Sequence, residues 1–73
     1  MEFWIKTQTR NLVKPNNILC NYEYGYAKII TRLGLQSYII LGEYLETDGP
    51  IIMEKIEKFI TDGKDKIFVM PQG

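Results

Sequence analysis

The sequence predicts an α+β domain: a two-layer fold in which an antiparallel sheet of four to five strands, in the order ββββαβ, packs on one helix. Three observations carry this expectation. Extended runs up to residue 44 are rich in β-branched and aromatic residues, and the first alternates with a period of two. Turn-forming residues separate these runs at short intervals. After residue 46 the apolar spacing changes to that of a helix face.

The first strand is expected over residues 2–8, with Phe3, Ile5 and Thr7 on one face and Trp4, Lys6 and Gln8 on the other. "TRN" at residues 9–11 is a turn, because Asn tolerates tight backbone conformations. "LVKPNNILCNYE" is read as one extended segment interrupted at Pro15, which cannot donate a ladder hydrogen bond. "PNN" marks a local turn or bulge, and the strand resumes over Ile18 to Tyr22. "EYG" forms a hairpin tip with Gly25 at positive φ. "YAKIITR" is the returning strand, Leu33 and Gly34 turn, and "LQSYIILGEY" is the fourth strand.

The helix lies within "TDGPIIMEKIEKFITDG", where Ile52, Met53, Ile56, Phe59 and Ile60 share a face. Thr47 or Asp48 caps its start, Pro50 sits in the first turn where its missing N–H is not needed, and Gly63 ends it in a left-handed conformation. The helix is expected to bury Ile52, Ile56, Phe59 and Ile60 against Phe3, Ile5 and either Ile67 or Val69. "KIFVMP" is a last short strand closed by Pro71.

At 73 residues the chain is expected to be one small domain, residues 1–73, with a thin margin of stability. Cys20 is the only cysteine and there is no histidine, so neither an internal disulfide nor a structural zinc site is expected. The usual general base near neutral pH is missing, and with it Ser–His and Cys–His nucleophile activation. Glu43 is read as a solvated residue rather than a catalytic carboxylate, and no Gly-rich phosphate loop is present. The expectation is therefore a protein that is not an enzyme and holds no metal or cofactor. Nine basic and nine acidic side chains cancel, which argues against a duplex nucleic-acid partner. No apolar run reaches the length of a membrane span, and a single free cysteine fits a reducing compartment, so a cytoplasmic location is expected.

Three segments carry a resemblance. "WIKTQTR" at the start, "LGEY" at Leu41 to Tyr44 ahead of an amphipathic helix, and "FVMP" at Phe68 to Pro71 resemble a group of very small, uncharacterised proteins of phages and mobile elements of low-GC Gram-positive bacteria. The sequence departs from that pattern at "LETDGP", where a charged first turn is expected instead of Gly49-Pro50. The resemblance implies a compact ββββαβ domain in a phage-like setting, and no reaction. A phage-encoded protein of this kind would act in the host cytoplasm.

The candidate binding residues are Trp4, Lys6, Arg10, Tyr22, Tyr24, Tyr26, Lys28 and Arg32. Tyrosines at alternate positions are expected to share a face. With Gly25 at the tip, Tyr22 and Tyr26 would oppose each other across the hairpin and Tyr24 would stand exposed. The bland reading is that two of these rings cover a core edge. The functional reading is an aromatic platform with cations beside it, suited to a nucleotide or to a protein hot spot. Trp4, Tyr38 and Ile40 mark a sheet face that one helix cannot cover, so a homo-oligomer is expected. Two functions follow as expectations. One is a counter-defence protein that sequesters a host immune signalling nucleotide; the other is a module that inhibits or modulates a host protein. Binding of single-stranded nucleic acid is disfavoured by the zero net charge.

Overall fold

The structure, a computed structural model, describes residues 2–72. It contains six strands and one helix: β1 (Trp4–Lys6), β2 (Leu12–Val13), β3 (Leu19–Glu23), β4 (Tyr26–Arg32), β5 (Tyr38–Leu45), a single 3-10 turn (Glu46–Asp48), α1 (Gly49–Asp62) and β6 (Ile67–Val69). The α+β class is as expected. The sheet is not: the strands form two three-stranded sheets, ordered β2-β1-β6 and β3-β4-β5.

The expected single sheet fails at Pro15. Leu12–Val13 pairs antiparallel with β1, whereas Leu19–Glu23 pairs antiparallel with β4. Between them the chain changes sheets. The backbone N–H groups of Asn16 and Asn17 both donate to the buried Oγ1 of Thr31, at 3.2 and 3.4 Å. The Asn17 side-chain oxygen accepts from the N–H of Arg32 at 2.9 Å. Pro15, fully buried, fixes the corner. The first sheet is also not wholly antiparallel, because β6 returns alongside β1 in parallel, Ile5 against Phe68.

One core serves both sheets. Phe3 and Ile5 come from the first, Ile29, Leu41 and Tyr44 from the second, Ile52 and Ile56 from α1, and Met70 from the C-terminal segment. The helix start lies on the second sheet, where a Cβ at Gly49 would stand 2.7 Å from that of Ala27 and 3.1 Å from the Tyr22 ring. Only glycine allows this approach. The helix end lies on the first sheet, where Phe59 meets Phe3 and Phe68 edge-on, with ring centroids 5.3 and 5.4 Å away. Phe68 and Met70 thus face inward, while Ile67 and Val69, one of which was expected as a core partner, are both exposed. Ile60, expected to be buried, is also exposed, at 44%. Gly63 closes the helix at φ 61°, its N–H donating to Phe59 O at 3.2 Å. Neither Thr47 nor Asp48 caps the start with its side chain; the 3-10 turn leads into Gly49 and Pro50 instead.

Gln8 joins the sheets. A bulge in β5 puts Ile40 opposite Ile30 and Gly42 opposite Ile29, leaving Leu41 as the extra residue. Leu41 O accepts the N–H of Gln8 at 3.1 Å, and Gln8 Oε1 accepts the N–H of Glu43 at 2.7 Å. Gln8 Nε2 donates to Pro71 O at 3.2 Å, and the Tyr44 hydroxyl donates to the same carbonyl at 2.7 Å. The Tyr44 ring lies back over Gly42, where a Cβ would sit 2.8 Å from it. Gln8, "LGEY" and "MP" therefore meet in one hydrogen-bonded knot. Their role here is architectural.

Candidate binding surface

The hairpin that carries the tyrosines turns on two residues, Tyr24 and Gly25, at φ 52° and 80°. Positive φ at both central positions is the geometry of a type I′ turn, whose twist matches that of the flanking strands. It sets the register Glu23 against Tyr26 and Tyr22 against Ala27. The expected Tyr22–Tyr26 pair does not form, because the tip includes Tyr24 and the register moves by one residue. Opposed residues share a face, so Tyr22 and Tyr26 lie on opposite sides of the sheet. Tyr22 lies with buried Ala27 on the inner side, against Gly49. Hydrogen bonding with the neighbouring Cys20 side chain, followed by desolvation, raises its phenol above the ordinary value. Tyr26 faces outward beside Glu23 and Leu45. Tyr24 stands at the tip, 90% exposed.

The outer face of β3-β4-β5 is where most of the outward side chains converge. Its cross-strand rows run Glu23–Tyr26–Leu45, Asn21–Lys28–Glu43, Leu19–Ile30–Ile40 and Arg32–Tyr38. Leu19, Tyr26, Tyr38, Ile40 and Leu45 are all exposed. Lys28 and Glu43, of opposite charge, stand opposite each other across the strands. Arg32 lends one Nη2 hydrogen bond, 2.9 Å long, to Leu35 O, which holds the guanidinium over the 33–37 loop. A depression of about 180 Å³ lies on this face, lined by Leu19, Asn21, Glu23, Lys28, Ile30, Arg32 and Tyr38.

Of the eight expected residues, Tyr26, Lys28 and Arg32 meet on this face. Trp4 and Lys6 share the outer face of the other sheet, in rows with Ile67, Leu12 and Val69. There the Lys14 ammonium stands 6.0 Å from the Trp4 ring centroid. Arg10 belongs to neither face. It lies in the tight turn between Thr7 and Asn11, exposed, at φ 70°. The residues thus divide between two sheets instead of forming one platform. Tyr38 and Asn21 complete the second-sheet face and were absent from the expected set. The five-residue loop between Arg32 and Tyr38 was the available signal, since it makes them a cross-strand pair.

A larger cleft of about 390 Å³ lies between the end of α1 and the start of β1, lined by Glu2, Phe3, Phe59, Ile60, Gly63, Asp65 and Lys66. Its floor is apolar, and none of the eight expected residues lines it. Among the described residues no cluster of His, Cys, Asp or Glu is placed to hold a metal ion, and no helix is long and apolar enough to cross a membrane. The chain matches no family model, no curated protein and no solved structure.

Proposed function

We propose that this domain is a non-enzymatic binding module whose working surface is the outer face of β3-β4-β5, and that its partner is a protein. The observation that carries this reading is the shape of the face. Its depression of about 180 Å³ is smaller than the roughly 300–1,000 Å³ of small-molecule pockets, while its exposed Tyr, Leu and Ile side chains sit beside Arg32 and Lys28. Exposed aromatic and Arg side chains on a shallow face are the composition of protein hot spots. In the phage-like setting implied by the "WIKTQ", "LGEY" and "MP" segments, the partner would be a host protein that the module inhibits or retunes, in the host cytoplasm.

One observation favours a second reading. Arg32 and Tyr38 are cross-strand neighbours and Lys28 lines the same depression, which places a ring beside one cation and a second cation further along the face. A ring can stack on a base while cations hold phosphate, as sequestration of an immune signalling nucleotide would need. The two readings separate in one experiment. The tagged protein is recovered from host cells and analysed by native mass spectrometry, together with Tyr38→Ala and Trp4→Ala variants. A protein co-purifying with wild type and Trp4→Ala but not with Tyr38→Ala supports the first reading. A retained nucleotide with the same dependence supports the second. Binding lost only in Trp4→Ala would move the site to the other sheet.

A further inference from the structure

We infer that β3 pairs antiparallel with β3 of a second copy, joining two β3-β4-β5 sheets into one six-stranded sheet about a two-fold axis at Asn21. An edge strand presents unpaired N–H and C=O groups, and stable monomers blunt such edges by shortness, proline, lysine or cover. Three of the four edges here are blunted. β2 has two residues and runs into Lys14-Pro15; β6 has three residues and runs into Met70-Pro71. The middle of the β5 edge is covered by Gln8, bonded at Leu41 O and Glu43 N. The remaining edge, β3, is five residues long, contains neither Lys nor Pro, and is exposed at every position except Cys20.

The hairpin register identifies the groups that point outward. The residues flanking a two-residue turn, Glu23 and Tyr26, form a hydrogen-bonded pair, and such pairs recur at every second position. Leu19, Asn21 and Glu23 therefore direct their backbone groups to β4. Cys20 and Tyr22 direct theirs away from the sheet. Pairing of β3 with itself about Asn21 sets Cys20 against Tyr22 of the second copy, and Tyr22 against its Cys20. All four outward groups are then satisfied by four reciprocal hydrogen bonds. Asn21 meets its own equivalent at the axis as a non-hydrogen-bonded pair.

The outer face is incomplete without the second copy. Leu19, Asn21 and Glu23 form the β3 wall of its depression. In the paired state that wall becomes the centre of a single two-fold groove, with Lys28, Arg32 and Tyr38 of each copy on either side. The inference does not depend on which class of partner binds there. A five-residue strand addition is at the small end of specific interfaces, so a dimer in the micromolar range is expected.

The test uses the full chain. Analytical ultracentrifugation of wild type is expected to show a concentration-dependent rise from 8.5 kDa towards twice that mass. In a Cys20→Ser background, Asn21→Cys places two thiols across the axis. Non-hydrogen-bonded partners have Cα atoms about 4.5 Å apart, which a disulfide can span. Mild oxidation should cross-link this variant at least tenfold faster than Leu12→Cys, an exposed cysteine on the β2 edge in the same background. Asn21→Lys sets two ammonium groups face to face and should weaken the dimer at least tenfold with the fold retained by circular dichroism. A wild-type chain that stays monomeric up to millimolar concentration overturns the inference. So does a dimer in which Asn21→Cys cross-links no faster than Leu12→Cys.

Discussion

Two side chains occupy backbone conformations that their chemistry does not favour. Tyr24 and Arg10 are the non-glycine residues at positive φ among those described, and Tyr24 is 90% exposed. An L-residue in the left-handed region costs about 1–2 kcal/mol, and the first position of a type I′ turn prefers Asn. Packing does not explain a tyrosine there, since the ring covers little. Strain retained at an exposed tip is a reason to look for a contact outside the molecule. Tyr24→Asn is expected to raise stability by about 1 kcal/mol, read as a higher denaturation midpoint, and to weaken partner binding if the tip reaches the partner. A loss of stability in this variant would show that the ring supports the fold.

Tyr44 is a residue-scale device of the opposite kind. It is 4% exposed, and burial pushes its phenol up to about 12 from 10.0. In the unfolded chain the phenol ionises near pH 10, while in the fold it stays protonated and keeps its hydrogen bond to Pro71 O. The unfolded state therefore binds fewer protons between these values, and stability falls as pH rises from about 10 to 12. Below pH 10 the contribution is complete. Chemical denaturation from pH 8 to 12 should show this loss for wild type. Tyr44→Phe should remove the Tyr44 part of the slope, at a cost near neutral pH of about 1 kcal/mol for the lost hydrogen bond. An unchanged slope in the variant would assign the alkaline loss to other groups.

At the scale of elements, the helix and the tip of the tyrosine hairpin were legible and the strand pairings were not. A helix writes its buried face into one local run, so Ile52, Ile56 and the Gly63 cap could be read directly. Two-residue turns leave a similar local mark, and Gly25 supplied it. Strand partners leave no such mark. Nothing within "LVKPNNILCNYE" states that its two halves bond to different sheets; that follows from a buried hydroxyl at Thr31, fifteen residues beyond Asn16. The parallel return of β6 is equally non-local, and it decides that Phe68 rather than Ile67 or Val69 faces Phe59. The bulge at Leu41 is invisible to a period-two reading because it changes the parity of the strand. Ile56, expected on the buried helix face, is 1% exposed. Ile56→Ala should cost about 2–5 kcal/mol, a large share of the roughly 5–15 kcal/mol of a small domain. A melting temperature equal to wild type would mean that α1 buries a different face.

At the scale of the molecule, two small sheets share one core and expose two outer faces, a largely apolar one on β2-β1-β6 and a mixed one on β3-β4-β5. The candidate site residues do not form one group. Trp4 and Lys6 went to one sheet, and Tyr26, Lys28 and Arg32 to the other, because their grouping depends on pairings that sequence spacing does not encode. The segments "WIKTQ", "LGEY" and "MP" stood out in the sequence, yet their meeting at Gln8 makes them parts of the frame. The proposed working surface is the outer face of β3-β4-β5, set apart from the outer face of the first sheet, where Trp4 lies. That separation is the central claim, and relative affinities of the recovered partner for three proteins test it most directly: wild type, a Lys28→Glu/Tyr38→Ala double variant, and Trp4→Ala. With folding verified by circular dichroism, the account predicts that the double variant loses at least about tenfold in affinity, the equivalent of one hot-spot residue, and that Trp4→Ala binds as wild type. Equal affinity of the double variant and wild type, or a loss confined to Trp4→Ala, would contradict it.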